Sequence, residues 1–186
     1  MRLRLAWLGT LVIALGLQAP SPVQAQERPG AKLDVRRDES QVKAAFLYKF
    51  TGYVEWPEGA FASADAPLNI GVIGADALAA ELEQVVAGRK ANDRPVLVRR
   101  LKPEDSLKGL QIVFIGQSTP PHLRPWPGLL VVTESEGALA QGSVINFVLV
   151  ERRVRFEISL DAAEKNGLRL SSRLLAVAEK VITGTP

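Results

Sequence analysis

The chain has 186 residues, with 23 lysine and arginine residues against 20 aspartate and glutamate residues, one histidine and no cysteine. This length suits one domain with a sizeable core, and the lack of cysteine excludes disulfides, thiolate catalysis and cysteine-based metal sites. Charges of both signs are interspersed and nearly balanced, whereas nucleic-acid binding requires clustered basic residues. We therefore expect a single domain that does not bind nucleic acid.

The first residues have the pattern of a secretory signal peptide. Two arginines precede an apolar run from Leu5 to Leu17, and Val23-Gln24-Ala25 supplies small residues at the cleavage position. The apolar run is shorter than the about 20 residues of a transmembrane helix. We expect residues 1–25 to be a signal peptide, cleaved after Ala25 during export, with a retained N-terminal anchor as the less favoured alternative.

The mature chain begins with a polar segment and then a helix. Residues 26–37 contain a proline and a glycine and show no period, which predicts a flexible N-terminus. Asp38 and Gln41 resemble a capping box, and apolar residues at helical spacing then predict an amphipathic helix from about residue 40 to 54, ended by Trp56-Pro57. The apolar residues are Val42, Ala45, Phe46, Phe50, Tyr53 and Val54.

The middle of the chain alternates between strands and helical segments. The first apolar run, ended by Gly74, predicts a strand buried on both faces, and a helix over Ala75–Ala87 follows it. This alternation is typical of a layered α/β domain whose sheet is at least partly parallel. The predicted strands are Leu68–Ile73, Pro95–Arg100, Ile112–Ile115 and Leu129–Val132.

Two further apolar segments, Val144–Leu149 and Val154–Leu160, are separated by a short polar stretch and predict an antiparallel hairpin at the sheet edge. Side chains along a strand alternate between its two faces. The second strand thus has an apolar face with Val154, Phe156 and Ile158 and a polar face with Arg153, Arg155 and Glu157.

The C-terminal segment predicts two helices. A short helix over Asp161–Asn166 ends at Gly167, which suits a C-cap, and Ser171 or Ser172 can cap a terminal helix. The apolar side of that helix consists of Leu174, Leu175, Ala178, Val181 and Ile182. The predicted fold is one α/β layered domain, with a mixed, partly parallel sheet flanked by helices, a C-terminal antiparallel hairpin and a terminal helix.

No constellation of residues predicts a catalytic, metal or cofactor site. The single histidine, His122, lies among prolines, so we expect a solvated loop residue. The segment from Gly71 to Asp76 connects the end of a strand to the start of a helix but lacks the third glycine of the dinucleotide fingerprint. We therefore interpret it as a turn, at which the helix start could still favour an anion. No serine stands in a G-x-S-x-G motif.

The remaining candidates are surface residues. The polar strip of Arg153, Arg155 and Glu157 is either an exposed ion pair of small energetic value or a surface that recognises a partner protein or a small anionic ligand. Three residues beside the strip, Ser171, Ser172 and Arg173, belong to the same candidate site. A second candidate is the corner Glu55-Trp56-Pro57, where Trp56 is either an exposed anchor or, as we favour, buried in the core.

Several of these segments together resemble the YfiR-like periplasmic regulators. Val42 to Pro57 matches the family's VKAAFLYKF…EWP helix, and Gly142 to Leu175 matches its GxxIxF…RFEIN…GLxxSSxLL end. The resemblance covers roughly Gln41 to Val181. The chain departs from the family at Ser159, where an asparagine is usual, and at Gln111, where many members have a cysteine, so control by a disulfide is not expected.

The resemblance implies a function. YfiR-like proteins repress an inner-membrane diguanylate cyclase by binding its periplasmic sensor domain, and they are released from the cyclase when an outer-membrane lipoprotein captures them. We therefore expect residues 38–186 to form a YfiR-like domain that acts in the periplasm as a homodimer, without a cofactor, and lowers cyclic di-GMP and biofilm formation. The alternative is a periplasmic module that senses an amino acid or similar small ligand and reports it to a membrane receptor or kinase.

Overall fold

The computed structural model describes residues 29–116 and 126–184, with side chains from residue 36 onward. The predicted signal peptide and His122 lie outside these residues. In chain order the elements are α1 (Pro29–Phe50), β1 (Val54–Glu55), β2 (Leu68–Ile73), α2 (Asp76–Val86), β3 (Lys90–Ala91), β4 (Arg94–Leu101), β5 (Ile112–Ile115), β6 (Leu130–Thr133), β7 (Ile145–Val150), β8 (Arg153–Ser159), α3 (Leu160–Lys165), β9 (Arg169–Leu170), α4 (Ser172–Ala176) and β10 (Lys180–Ile182).

Eight of these strands form one mixed sheet in the order β10-β8-β7-β6-β5-β2-β4-β3. The five strands from β4 to β7 in this order run parallel. β8 is antiparallel to β7, β10 is parallel to β8, and β3 is antiparallel to β4. β1 and β9 form a separate two-stranded antiparallel sheet. The predicted α/β fold with a partly parallel sheet and a hairpin is confirmed.

The main core lies between the sheet and the helices α1 and α2. Phe50 is 1% exposed, and its ring centroid lies 5.3 Å from that of Phe156 and 6.0 Å from that of Phe147. Phe46 packs beside them, 5.3 Å from Phe156. Such aromatic contacts add to the hydrophobic stabilisation of the core. The apolar stripe of α1 therefore holds the helix against the β7–β8 hairpin.

The bounds of α1 differ from the prediction at both ends. The helix begins at Pro29, within the segment for which we expected no regular structure, and ends at Phe50 instead of residue 54. The last turn tightens, because the N–H groups of Thr51 and Gly52 bond to carbonyls three residues before them. Val54 then pairs with Leu170 in the small sheet. This pairing between distant segments takes Val54 out of the helix.

The terminal helix is shorter than predicted. α4 ends at Ala176, and Val181 and Ile182, which we assigned to its apolar side, belong to β10. The N–H of Glu179 donates to the carbonyl of Phe156 at 2.9 Å, which starts the pairing with β8. The prediction that the hairpin lies at the sheet edge is therefore wrong, since β10 covers β8. The exposed backbone edge of β8 stabilises this terminal segment as a strand.

The hairpin turn consists of two residues, Glu151 and Arg152, with φ angles of 49° and 63°. Positive φ at both central residues is the signature of a type I′ turn, which suits the twist of paired strands. Neither residue is glycine or asparagine, which usually occupy such positions, so the turn holds both backbones in a conformation that is unfavourable for them.

Candidate functional site

A groove lies between the N-terminal part of α1 and the tip of the β7–β8 hairpin. Its volume is about 580 Å³, and we call it the hairpin groove. The helix forms one side and the hairpin the other. The residues that line it are Asp38, Glu39, Val42, Leu149, Arg152, Arg153 and Val154.

The floor of the hairpin groove exposes apolar side chains. Val42 is 42% exposed and Leu149 is 55% exposed, and both are among the large hydrophobic residues that the fold leaves on the surface. Next to them Val154 is 8% exposed. Two such residues facing each other across a groove form a contiguous apolar patch, which is more typical of a contact site than scattered exposed residues are.

The two rims of the hairpin groove carry opposite charges. Asp38 and Glu39 lie on the helix side, and the exposed Arg152 and Arg153 lie on the hairpin side. Glu39 is 3.7 Å from the ammonium of Lys43. Neither arginine forms an ion pair with any residue from 36 to 116 or from 126 to 184. The arginines are therefore available to a partner that carries acidic groups.

The predicted hairpin strip is only partly in this groove. Arg153 lines it, whereas Arg155 lies further along β8, exposed and opposite Val148. Glu157 is half-buried between its neighbours Asn146 and Lys180 on the adjacent strands. Within the described residues no ion pair joins the strip's arginines to Glu157. The strip is therefore not held together by the exposed ion pair that was one of its two interpretations.

Ser171 has a structural role at the start of α4. Its hydroxyl oxygen accepts a hydrogen bond from the N–H of Leu174 at 3.3 Å, as predicted for an N-cap. Its own N–H donates to the carbonyl of Tyr53. Ser172 and Arg173 are exposed. Among the described residues no hydrogen bond or ion pair connects this helix start to the hairpin strip.

The corner Glu55-Trp56 lies close to that helix start instead. Trp56 is half-buried, its indole N–H donates to the carbonyl of Gln111 at 3.2 Å, and its ring meets Phe61 edge-on. Glu55 is exposed, with a carboxylate oxygen 3.5 Å from the Arg169 guanidinium. The structure therefore divides the predicted residues into two groups. The corner group consists of Glu55, Trp56, Ser171, Ser172 and Arg173, and the hairpin group consists of Arg153, Arg155 and Glu157. Trp56 packs against the core.

The glycines near the end of β2 have packing roles. A Cβ on Gly71 would lie 2.6 Å from Cδ1 of Leu110, and one on Gly116 would lie 2.6 Å from the carbonyl oxygen of Gly74. Gly74 itself has a φ of 68°, which only glycine adopts freely. These contacts explain the glycines without a bound nucleotide, in agreement with our interpretation of the segment as a turn.

A buried polar cluster on β6 and β7 is satisfied by its own members. The hydroxyls of Thr133 and Ser143 are 2.8 Å apart, and the Thr133 hydroxyl also donates to Asn146 Oδ1 at 2.8 Å. No buried side-chain nitrogen or oxygen in the described chain lacks a partner. The described residues also contain no cluster of three or more histidine, aspartate or glutamate side chains suited to a metal. The cluster is therefore structural.

Most of the groove was not predicted from the sequence. We interpreted Asp38 as a helix cap and Val42 as part of the core stripe, and we assigned no role to Leu149 or Arg152. The available signal was the turn itself, because Glu151-Arg152 is an unusual pair for a two-residue hairpin loop.

Within residues 29–116 and 126–184, none of the helices combines the length and hydrophobicity that crossing a membrane requires.

Comparison with known proteins agrees with the resemblance seen in the sequence. Residues 40–179 match a protein-family model described as YfiR/HmsC-like. The match extends from the C-terminal part of α1 through α4 and includes both strands of the hairpin and the corner group. No curated protein matches the chain.

Proposed function

Because the chain belongs to the YfiR/HmsC-like family, we propose that it is a repressor that binds the periplasmic sensor domain of an inner-membrane diguanylate cyclase. The family consists of periplasmic regulators of diguanylate cyclase systems, and it is regulatory rather than catalytic. In this proposal the bound repressor keeps the cyclase inactive and so lowers cyclic di-GMP and biofilm formation. The hairpin groove is the surface that contacts the cyclase.

The observation that carries this assignment is the combination of apolar floor and charged rims in the hairpin groove. Val42 and Leu149 can bury apolar area against a partner, which supplies affinity. The acidic helix side and the basic hairpin side favour one orientation of the partner over others, because oppositely charged groups must meet across the interface. An apolar centre with a polar rim is the usual anatomy of a protein–protein interface.

Repression by binding requires a difference in affinity between two states of the cyclase. The repressor shifts the population toward the inactive state only if it binds that state more tightly. A shift from 1:99 to 99:1 would require a preference of about 10⁴-fold. In the full proposal the chain acts as a homodimer that contacts both subunits of a cyclase dimer, and an outer-membrane lipoprotein relieves repression by capturing the repressor.

A second candidate function rests on the size of the groove. A volume of about 580 Å³ falls within the range of small-molecule sites, and its acidic and basic rims would complement the ammonium and carboxylate of a free amino acid. A module of this kind would report its ligand to a receptor or kinase. The high exposure of Leu149 favours the protein partner, since small-ligand sites bury most of the ligand surface.

The test is a direct affinity measurement between the purified chain and the isolated periplasmic domain of the cyclase. We expect Leu149→Asp to weaken binding by about tenfold or more, because it places a charge in the apolar centre of the contact. The matched control is Val177→Asp, a similarly exposed apolar residue directly after α4 and outside the groove. An unchanged affinity for Leu149→Asp, or an equal loss in both variants, contradicts the assignment. Binding of free amino acids alone, abolished by Leu149→Asp, would support the sensing function.

A further inference from the structure

The outer edge of β4 is open along most of the strand. On its inner side β4 pairs with β2 from Val96 to Leu101. On its outer side β3 pairs only with Arg94 and Pro95, followed by one hydrogen bond from the N–H of Val96 to the carbonyl of Arg89. Beyond Val96, no strand among the described residues covers this side. We call Leu97–Leu101 the open edge of β4.

The alternation of the strand identifies the backbone groups at this edge. The N–H of Val96 points outward to β3, so the N–H and C=O groups of Val98 and Arg100 also point outward. None of these groups forms a hydrogen bond with a described residue. Such a row of unpaired groups is a template for an added strand.

The side chains along the open edge are apolar and basic. Leu97 is 49% exposed, and the neighbouring Arg99 is exposed and forms no ion pair with a described residue. On the other face the guanidinium of Arg100 makes two hydrogen bonds of 2.9 Å with the carboxylate of Glu83. This pair holds Arg100 in place, and its hydrogen bond lowers the pKa of Glu83. Lys102 follows directly, also exposed.

The charges select among possible occupants. If two copies of the chain paired through this edge as parallel strands in the same register, Arg99 of one copy would face Arg99 of the other, and like charges on adjacent strands destabilise the pairing. Basic side chains at an edge are a known protection against such self-association. A strand that carries carboxylates has the opposite charge, and its apolar residues can cover Leu97.

We propose that the open edge of β4 binds an extended acidic segment of a partner protein by strand addition. The segment pairs its backbone with Val98 and Arg100, places carboxylates next to Arg99, and covers Leu97 with an apolar side chain. This surface lies on the strand at the far side of the sheet from the hairpin groove, separated from β7 by β2, β5 and β6. It therefore constitutes a second contact that does not depend on the proposed repressor function.

A short synthetic peptide of alternating valine and glutamate is the probe. Its binding to the mature chain is followed by amide hydrogen exchange and chemical shifts. We expect the amides of Val98 and Arg100 to exchange rapidly in the free protein and to become protected on binding. A peptide in which lysine replaces glutamate should bind about tenfold more weakly or not at all, because its charges repel Arg99.

Two variants and a control complete the test. Arg99→Glu should reverse the preference between the two peptides. Val98→Pro removes one outward N–H and should weaken the binding of both peptides. Circular dichroism reports whether Val98→Pro folds, and if it does not fold, the result for Arg99→Glu decides the test. Leu149→Asp in the hairpin groove should leave peptide binding unchanged. Three results would overturn the proposal: protection of the Val98 and Arg100 amides in the free protein, equal binding of both peptides, or chemical-shift changes at other residues. Arg99→Glu should bind the cyclase normally, because the two surfaces are separate.

Discussion

Gln111 connects three segments of the fold, and its removal is a sensitive test of the structure. The side chain is 2% exposed. Its Oε1 accepts a hydrogen bond from the N–H of Asn69 at 2.8 Å, and its Nε2 donates to the carbonyl of Ala60 at 2.7 Å. Its own carbonyl accepts from the indole of Trp56. The buried side-chain amide therefore ties the start of β2 to the loop at Ala60, and the main-chain carbonyl of the same residue holds the Trp56 corner.

The substitution Gln111→Leu keeps the approximate volume and removes both side-chain hydrogen bonds. The part-buried N–H of Asn69 and carbonyl of Ala60 then lose their partners, and each loss costs at most the about 1–3 kcal/mol of a fully buried unsatisfied group. The apolar side chain recovers part of this loss. We expect a net decrease of about 2–4 kcal/mol in the free energy of unfolding, which is a large share of the about 5–15 kcal/mol of an ordinary domain.

The assay is urea denaturation followed by circular dichroism, with Gln84→Leu as the control. Gln84 is exposed on α2, so its replacement should change stability by no more than about 0.5 kcal/mol. Gln111→Glu adds a pH test, because a protonated glutamate can make both hydrogen bonds whereas a buried carboxylate cannot. Its destabilisation should grow as the pH rises above about 4.3. If Gln111→Leu is as stable as the parent, or Gln111→Glu has no pH-dependent loss, the proposed role of this amide is wrong.

Phe50→Ala should lower the free energy of unfolding by about 3–5 kcal/mol because Phe50 is fully buried, and Phe46→Ala should lower it by less because Phe46 is half-buried. Negligible losses for both variants in urea denaturation would show that this apolar stripe of α1 is not part of the core. The hydrogen bond from Arg100 lowers the pKa of Glu83, so the stabilisation from this pair is present above the ordinary glutamate pKa and lost as the pH falls through the lowered one. Nuclear magnetic resonance titration should find the Glu83 midpoint moved back upward in Arg100→Gln, and identical midpoints would contradict the contact. Mass spectrometry of protein from the cell envelope should find cleavage after Ala25, whereas an intact initiator methionine would refute the signal-peptide prediction.

The local pattern predicts the central sheet well. Leu68–Ile73 and Ile112–Ile115 occur as strands with the predicted bounds, because a continuous apolar run between turn residues suits a strand buried on both faces. The terminal segment shows where a local pattern is insufficient. Val181 and Ile182 fit the period of a helix, but the neighbouring edge of β8 pairs with them as a strand. A pairing partner that is distant in sequence decides such a segment.

The candidate site was predicted less completely, for a similar reason. The alternation of β8 placed Arg153 on a polar face, and Arg153 does line the hairpin groove. Helical spacing identified the face of α1 that carries Val42, but it does not indicate how far the sheet extends beneath the helix. Val42 lies at that margin and is exposed. The sequence does not predict the structural role of Gln111, because its hydrogen-bond partners Asn69 and Ala60 are far away in the chain. The resemblance to the family indicates only that it stands where many members have a cysteine.

The most direct test of the central claim is the cyclic di-GMP concentration in cells that carry the cyclase and either the parent chain or the Leu149→Asp variant. The parent should lower cyclic di-GMP relative to cells without the protein. Leu149→Asp, present at the same abundance in the periplasm, should leave cyclic di-GMP near the level of cells that lack the protein, while Val177→Asp should repress normally. Full repression by Leu149→Asp would contradict the assignment of the hairpin groove as the surface that holds the cyclase inactive.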